Sequence, residues 1–288
     1  NVRVCATDCL IMSTIKVTNI EHENTTNGGI QLDSSGHVTV DGQQLPTSGA
    51  LSNRNLIING AMTVAQRGTV TGITSSKYGG PDRFKTAVSS LGTWTASQVT
   101  SSPSGFSKAL RLDCTTADAS PAASGYIAIM YSIEGQDVQH LNYGGSTAQD
   151  LTISFYVRSN KTGDASFEIQ QKDNSDRQYL ASYTISAANT WEKKTITIPG
   201  DTSGLINDDN GVGLRVGWWL NSGSDYSTGS TTSTWGPEVN ANRNTDNLGV
   251  GGSTSDYFEL SGVQLEVGEK ATPFEHRSHG DDLARCQR

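Results

Sequence analysis

The residues of this sequence best suited to contact a ligand or another subunit are arginine and aromatic side chains on the outer face of two predicted strands. Side chains in a strand alternate between two faces. In VGLRVGWWL this alternation turns Arg215 and Trp219 away from the valines, the leucines and Trp218, which face a core. In LTISFYVR it leaves Tyr156 and Arg158 on the outer face. These four residues are therefore candidates for contact with a ligand or a subunit.

The chemistry available to these residues is recognition of a flat, hydroxylated ligand. An exposed aromatic ring offers an apolar face to a sugar, and an arginine donates to hydroxyls or carboxylates. Trp219 and Tyr156 thus predict either a sugar-stacking platform or a subunit contact, unless a loop covers the rings. Trp235 lies in the long connection DYSTGSTTSTWGPEVNANRNTDN, of the kind that often carries function. The alternative is a structural role, in which the ring of Trp235 packs beneath that loop.

Catalytic signatures are weak throughout the chain. No nucleophile elbow, phosphate-binding loop or dinucleotide fingerprint is present. Glu134 and Asp137 could face one another across a turn, but nothing fixes them at the separation that glycoside hydrolysis needs. INDDNG fails as a calcium loop because Ile206 occupies the first ligand position. His276 and His279 favour a solvated tail over a metal site. We expect no enzyme activity, no metal and no cofactor.

Composition and charge exclude several functional classes. Apolar residues make up 34% of the 288 residues, and glycine, with 31 copies, adds no side chain to bury. This composition favours short strands, many turns and a thin core. A net charge of −8 argues against nucleic acid as a partner. The sequence has no apolar run of the roughly 20 residues needed for membrane insertion.

The four cysteines do not determine the fold. Cys5 and Cys9 are compatible with a small disulfide loop, and no zinc-ligand spacing follows them. Cys114 falls on the same face as the two leucines of ALRLDC, which predicts a buried free thiol. Cys286 lies close to the end of the sequence.

Successive strand-like segments bounded by turn residues predict an all-β protein. We expect an extended β region for attachment and trimerisation at 1–50 and a connector at 51–80. An antiparallel jelly-roll β-sandwich at 81–276 and a short helical or irregular tail at 277–288 follow.

The N-terminal region contains a predicted hairpin that needs a partner. Ile30 and Leu32 precede the turn residues DSSG, and Val38 and Val40 follow them. An isolated hairpin is marginal in water. The segment therefore packs either on the rest of the chain or on identical copies, and the density of small residues favours identical copies.

The last predicted strand, DYFELSGVQLEV, changes phase in its middle. Phe258 and Leu260 share one face, whereas Val263 and Leu265 would fall on the other. A one-residue bulge at Ser261–Gly262 restores a common buried face, and glycine tolerates such a bulge.

Several stretches together resemble phage tail-fibre and virion structural proteins of marine and cyanobacterial phages. They are NLIINGAMTVAQRGT, YGGPDRF, ANTWEKKTITIPGDTSG, DYFELSGVQLEVGEKATPFEHRS and LARCQR, and MSTIKVTNI resembles a fibre attachment region. The resemblance runs from about residue 12 to the end. In such proteins the tail often continues past the position of Cys286, whereas this sequence stops at Arg288, which is compatible with truncation.

This resemblance implies a homotrimeric virion appendage on a phage tail or particle surface. Its N-terminal region would bind other tail proteins, and its jelly roll would resemble a carbohydrate-binding module used in host-surface attachment. The alternatives are a glycan-binding module that recognises host polysaccharide and a tailspike enzyme that degrades it.

Overall fold

The computed structural model describes residues 19–20, 30–32, 38–40, 43–44, 53–173 and 175–287. The chain divides into two compact units, 1–47 and 48–288.

The first unit contains a four-stranded antiparallel sheet whose strands neighbour one another in chain order. The strands are β1 (Asn19–Ile20), β2 (Ile30–Leu32), β3 (Val38–Val40) and β4 (Gln43–Gln44). Strands β2 and β3 pair in the register predicted for the hairpin, with Ile30 opposite Val40. The hairpin is confirmed, whereas its role in oligomerisation stays a prediction.

The second unit is built on an eleven-stranded antiparallel sheet. The strands are β5 (Val70–Tyr78), β6 (Phe84–Val99), β7 (Ala109–Thr116), β8 (Tyr126–Glu134), β9 (Leu151–Ser159), β10 (Gly163–Gln171), β11 (Arg177–Ile185), β12 (Glu192–Ile198), β13 (Val212–Ser222), β14 (Gly236–Pro237) and β15 (Tyr257–Val267). Their order in the sheet is β12-β9-β15-β7-β6-β8-β13-β10-β11-β14, and β5 pairs with β6. The all-β, antiparallel jelly-roll class is confirmed.

Helical structure is sparse in the described residues. Helix α1 (Ser224–Ser227) follows β13, and α2 (His279–Cys286) forms the predicted C-terminal tail. The side chain of Ser278 accepts a hydrogen bond from the backbone of the first turn of α2, an N-cap that stabilises a short helix. Short 3-10 turns span Gly135–Asp137, Gln139–Leu141 and Asn240–Asn242.

Strand β6 joins the two halves of the sheet. Its first part pairs with β8 and its second part with β7. Between them the backbone bends at Ser90 and Gly92, which have φ values of 46° and 61°. Because one strand serves both halves, the sheet curls around a single core. Its largest fully buried side chains include Trp94, Trp218, Tyr131, Phe84, Phe155, Phe167 and Phe258.

Strand β15 contains the predicted bulge. Its register with β9 shifts between Ser261 and Gln264, and Gly262 has a φ of 57°. The shift keeps the apolar residues on both sides of the bulge inside one core, namely Phe258, Leu260, Val263 and Leu265.

The segment before β5 is tied to the sheet by Asn55. Its amide donates to the carbonyl of Val263 at 3.1 Å and accepts from the backbone N–H of Leu265 at 3.0 Å. Val70–Tyr78, within the predicted connector, is a strand of the main sheet. The domain boundaries at residues 50, 80 and 276 stay predictions.

The predicted free thiol is confirmed, because Cys114 is buried and unpaired. Cys5 and Cys9 lie outside the described residues.

Candidate ligand-binding site

A groove of about 370 Å³ lies on the face of the sheet that is turned away from the core. Outward-pointing residues of β6, β8 and β13 form its floor, because every second residue of these strands lies on the face away from the core. The inward residues of the same strands belong to the core. Tyr226 of α1 and Arg243 close one side of the groove, and Tyr78 at the end of β5 lies on its margin. The floor residues include Lys85, Tyr126, Met130, Ser132, Arg215 and Trp219.

A second cavity of about 230 Å³ extends this groove. The two cavities share Tyr78, Ser132 and Val212 in their lining. The extension adds the cationic side chains of Arg67 and Arg83 and the carboxylate of Glu134 to the lining.

Trp219 lies on the predicted outer face, but the residue is only 1% exposed. The rings of Tyr126 and Tyr226 lie 5.7 Å and 5.4 Å from it, centroid to centroid. The guanidinium of Arg243 lies 4.8 Å from the ring centroid, within cation–π range. Trp219 is therefore covered by its own chain at the floor of the groove, which is the alternative in which a loop covers the ring, and its role in ligand binding or subunit contact stays a prediction.

Tyr126 and Tyr226 are the half-buried rings beside Trp219 that face the groove. The sequence contained a signal for Tyr126, since it alternates with the core residues of YIAIMYSI. Tyr226 lies in a polar loop without periodicity, so the sequence contained no comparable signal for it.

Glu168 lies beneath the groove and is 1% exposed. The N–H groups of Arg243 donate to both carboxylate oxygens at 2.9–3.1 Å, and the indole N–H of Trp219 donates at 2.9 Å. Burial raises the pKa of Glu168 above its ordinary value, while the charge and hydrogen bonds of Arg243 oppose that rise. The contacts hold Arg243 and Trp219 in fixed positions.

Arg215 differs from Arg243 because its charge is not compensated. It is half-buried and lies opposite Ser132 of β8 and Gln170 of β10. Within residues 53–173 and 175–287, its guanidinium makes no hydrogen bond or ion pair. Lys85, also half-buried in the groove, likewise has no polar partner in that part of the chain. The two side chains leave donors available to a ligand.

The other predicted aromatic platform lies on the opposite half of the sheet. Tyr156 is half-buried and its ring is 5.5 Å from Phe106. Phe106 in turn packs against Phe274 and His276 at 4.9 Å and 5.3 Å. Tyr156 is thus covered by its own chain, and the structure does not bring it together with the groove.

Arg158 belongs to a network of buried charge. Its Nε lies 3.3 Å from a carboxylate oxygen of Glu259, which is 0% exposed. Arg111 pairs with the other oxygen at 2.8 Å and lies 4.0 Å from the ring centroid of Tyr257. These contacts occupy Arg158 within the fold.

Trp235 is half-buried against the core, as the alternative interpretation of its loop predicted. Its indole N–H donates to the carbonyl of Pro199 at 2.6 Å. Its ring packs on Tyr143 and Tyr179 at 5.7 Å and 6.0 Å. Trp235 anchors the long loop, and its predicted role in ligand binding or subunit contact stays a prediction.

The described residues offer little geometric support for a catalytic carboxylate pair or a metal site. Glu134 accepts a hydrogen bond from Gln136 at 2.7 Å, and Asp137 is exposed. No group of three or more His, Cys, Asp or Glu side chains among the described residues could hold a metal ion. None of the helices found there has the length and apolar character to span a bilayer.

No family model and no curated protein matches this sequence. Solved structures that are similar in fold include the enzymatically active domain of tailspike protein 4 of bacteriophage CBA120, with 9% identity and a TM-score of 0.37. The match covers 74% of this chain but only 21% of the length of the tailspike chain.

Carbohydrate-binding modules of Clostridium thermocellum are also similar in fold. The family 11 module of a cellulosomal cellulase has 15% identity and a TM-score of 0.35, covering 72% of this chain and 99% of the module. The C-terminal family 22 module of a xylanase has 10% identity and a TM-score of 0.37, covering 67% of this chain and 89% of the module.

Proposed function

We propose that this protein binds glycans of a host surface through the groove on β6, β8 and β13. The observation that supports the proposal is the combination of half-buried tyrosine rings with uncompensated donors in one concave surface. Tyr126 and Tyr226 offer faces for sugar rings, and Arg215, Lys85 and Ser132 offer hydrogen bonds. Apolar surface with a few convergent polar groups is typical of a binding site.

We further propose that the protein binds its glycan without cleaving it. Hydrolysis requires two carboxylates flanking the scissile bond. Among the described residues that line the two cavities, Glu134 is the sole carboxylate. Glu168 lies beneath the floor and is engaged by Arg243 and Trp219. These observations favour recognition over catalysis.

Glycan-array screening, followed by titration calorimetry on the glycans that bind, tests this proposal. We expect Tyr226→Ala to weaken binding about tenfold or more, because it removes one of the two rings beside the floor. Trp191→Ala is the control, since it truncates a half-buried aromatic residue outside the groove. An array without bound glycans, or equal affinities for wild type and Tyr226→Ala, would remove the groove as a glycan site.

A second proposal concerns assembly and location. We propose that the chain forms a homotrimeric tail fibre or related virion appendage, attached to the particle through residues 1–50. It is supported by the sequence resemblance and by the short strands of the first sheet, in which Ile30 is 44% exposed.

Mass photometry of the full chain and immunogold electron microscopy of phage particles test this assembly. We expect a mass three times that of the 30.6 kDa chain and gold labelling on the tail or particle surface. A stable folded monomer at micromolar concentration, or particles without label, would contradict the proposal.

A further inference from the structure

We infer that the groove selects acidic glycans, whose sugars carry carboxylates, over neutral glycans of the same backbone. The inference rests on the proposed glycan-binding function and specifies the ligand class for that site.

The first argument is the state of the two cations in the groove. Arg215 and Lys85 are half-buried, and neither has a hydrogen-bonding or ionic partner among residues 53–173 and 175–287. Partial burial removes some hydration from each charge, and no protein group within that part of the chain replaces it. An anionic ligand would supply the missing partner.

The second argument is the contrast between the groove and the whole chain. The protein has a net charge of −8, yet the described lining of the first cavity contains Lys85, Arg215 and Arg243 and no carboxylate. Two acids below and beside it, Glu168 and Glu238, are engaged by cations. Arg243 pairs with Glu168 at 2.9 Å and with Glu238 at 3.5 Å, and Lys172 pairs with Glu238 at 3.2 Å. The groove is therefore locally positive.

The third argument is geometric. Lys85 lies opposite Met130 of β8, and Arg215 lies opposite Ser132 on the other side of the same strand. Ordinary strand spacing and rise place their Cα atoms about 12 Å apart on one face. Two long side chains at this separation reach ligand groups along one groove. The guanidinium fork also matches a carboxylate in a bidentate arrangement.

A sugar acid fits this arrangement better than a free carboxylate does. The rings of Tyr126 and Tyr226 would contact the apolar face of the sugar, while the carboxylate on its edge reaches Arg215 or Lys85. A phosphate backbone would find only these few cations on a strongly acidic protein. The combination of rings with isolated cations therefore favours acidic carbohydrate over nucleic acid.

Paired ligands provide the test. The full chain is titrated with oligogalacturonate, alginate, hyaluronan and sialylated oligosaccharides, each beside its carboxyl-reduced neutral form, and with a single-stranded oligonucleotide. We expect at least one acidic glycan to bind about 10- to 100-fold more tightly than its neutral form, the range for loss of a charge-assisted hydrogen bond. The preference should decrease as salt concentration rises.

Two variants and one control assign the preference to the groove. Arg215→Gln and Lys85→Gln should each reduce affinity for the acidic form more than affinity for the neutral form, so the ratio between the two affinities should fall. Lys193→Gln changes an exposed lysine of β12 and should leave both affinities unchanged. Thermal unfolding of each variant shows whether it is folded, and the second groove variant remains informative if the first unfolds.

The outcomes separate this inference from the proposed function. Equal affinities for acidic and neutral forms overturn the acidic preference and leave glycan binding intact. A preference that survives both groove variants, or equal binding of the oligonucleotide, also overturns the inference. Absence of binding to every glycan, acidic or neutral, in this panel and on the array overturns the proposed function together with it.

Discussion

Replacing Arg243 with methionine tests the charge arrangement that supports the groove. Methionine retains much of the apolar stem of arginine but removes its charge and its N–H donors. Glu168, which is 1% exposed, would keep only the N–H of Trp219, 2.9 Å from its carboxylate. Removing one partner of a buried ion pair leaves an uncompensated charge and costs about 3–5 kcal/mol. We therefore expect a loss of that size in the free energy of unfolding near neutral pH.

The loss should depend on pH in a defined direction. Burial raises the pKa of Glu168 in the native protein, and Arg243 opposes that rise. Without Arg243 the native pKa rises further above the unfolded value. The carboxyl then takes up a proton more readily in the folded state than in the unfolded state. The destabilisation should be largest above the native pKa of Glu168 and should decrease as the pH falls toward its unfolded value.

Denaturant unfolding followed by tryptophan fluorescence measures these effects at about pH 7.5 and about pH 5. The double variant Arg243→Met with Glu168→Gln is the matched control, because it also removes the Glu168 charge that the single variant leaves without a cationic partner. We expect it to recover more than half of the loss at the higher pH. A loss below about 1 kcal/mol, the value of an exposed pair, or equal losses at both pH values would refute the reasoning.

Three further predictions concern Gly262, Asp256 and Cys286. Gly262→Ala should lower the free energy of unfolding by about 1–3 kcal/mol in denaturant titrations, because φ is 57° and a Cβ would lie 2.7 Å from the Phe106 ring. Gly236→Ala is the control, since a Cβ there meets open space, and equal stability of the two variants would contradict the account. Burial raises the pKa of Asp256, but hydrogen bonds and a nearby lysine more than offset that effect, so its pKa lies below the ordinary value. Asp256→Asn should therefore destabilise the protein near neutral pH and progressively less as the pH falls through that lowered pKa, and a pH-independent loss between about pH 7 and pH 3 would argue against this linkage. Burial raises the pKa of Cys286 to about 12, so little reactive thiolate should be present in the native protein at about pH 8. Peptide mapping after iodoacetamide treatment should therefore find Cys286 unlabelled, and labelling as fast as in denaturant would be inconsistent with that burial.

Local periodicity explains why the strands were predictable. Alternation in VGLRVGWWL placed Trp218 toward the core and Trp219 on the other face, and the structure has both on those faces. The bulge beside Gly262 was predictable because its flanking apolar residues change phase within one segment. Both features depend on neighbours along the chain, so they are present in the sequence itself.

Contacts between distant segments explain why the candidate site was only partly predictable. Trp219 has the alternation of an exposed residue, yet Tyr226 and Arg243 cover it. Arg158 and Arg215 occupy equivalent outward positions on their strands. One pairs with Glu259 of a strand about a hundred residues away, whereas the other finds no such partner in the described chain.

The sequence by itself therefore determined the fold class, the face on which each strand residue of the groove lies and the bulge in β15. Only the tertiary structure decided which rings are covered and which cations are neutralised. The physical reason is that alternation is a property of one strand, whereas burial and charge compensation arise where separate strands and loops meet. Arg215 and Lys85 are distinguished from the paired arginines by those contacts alone.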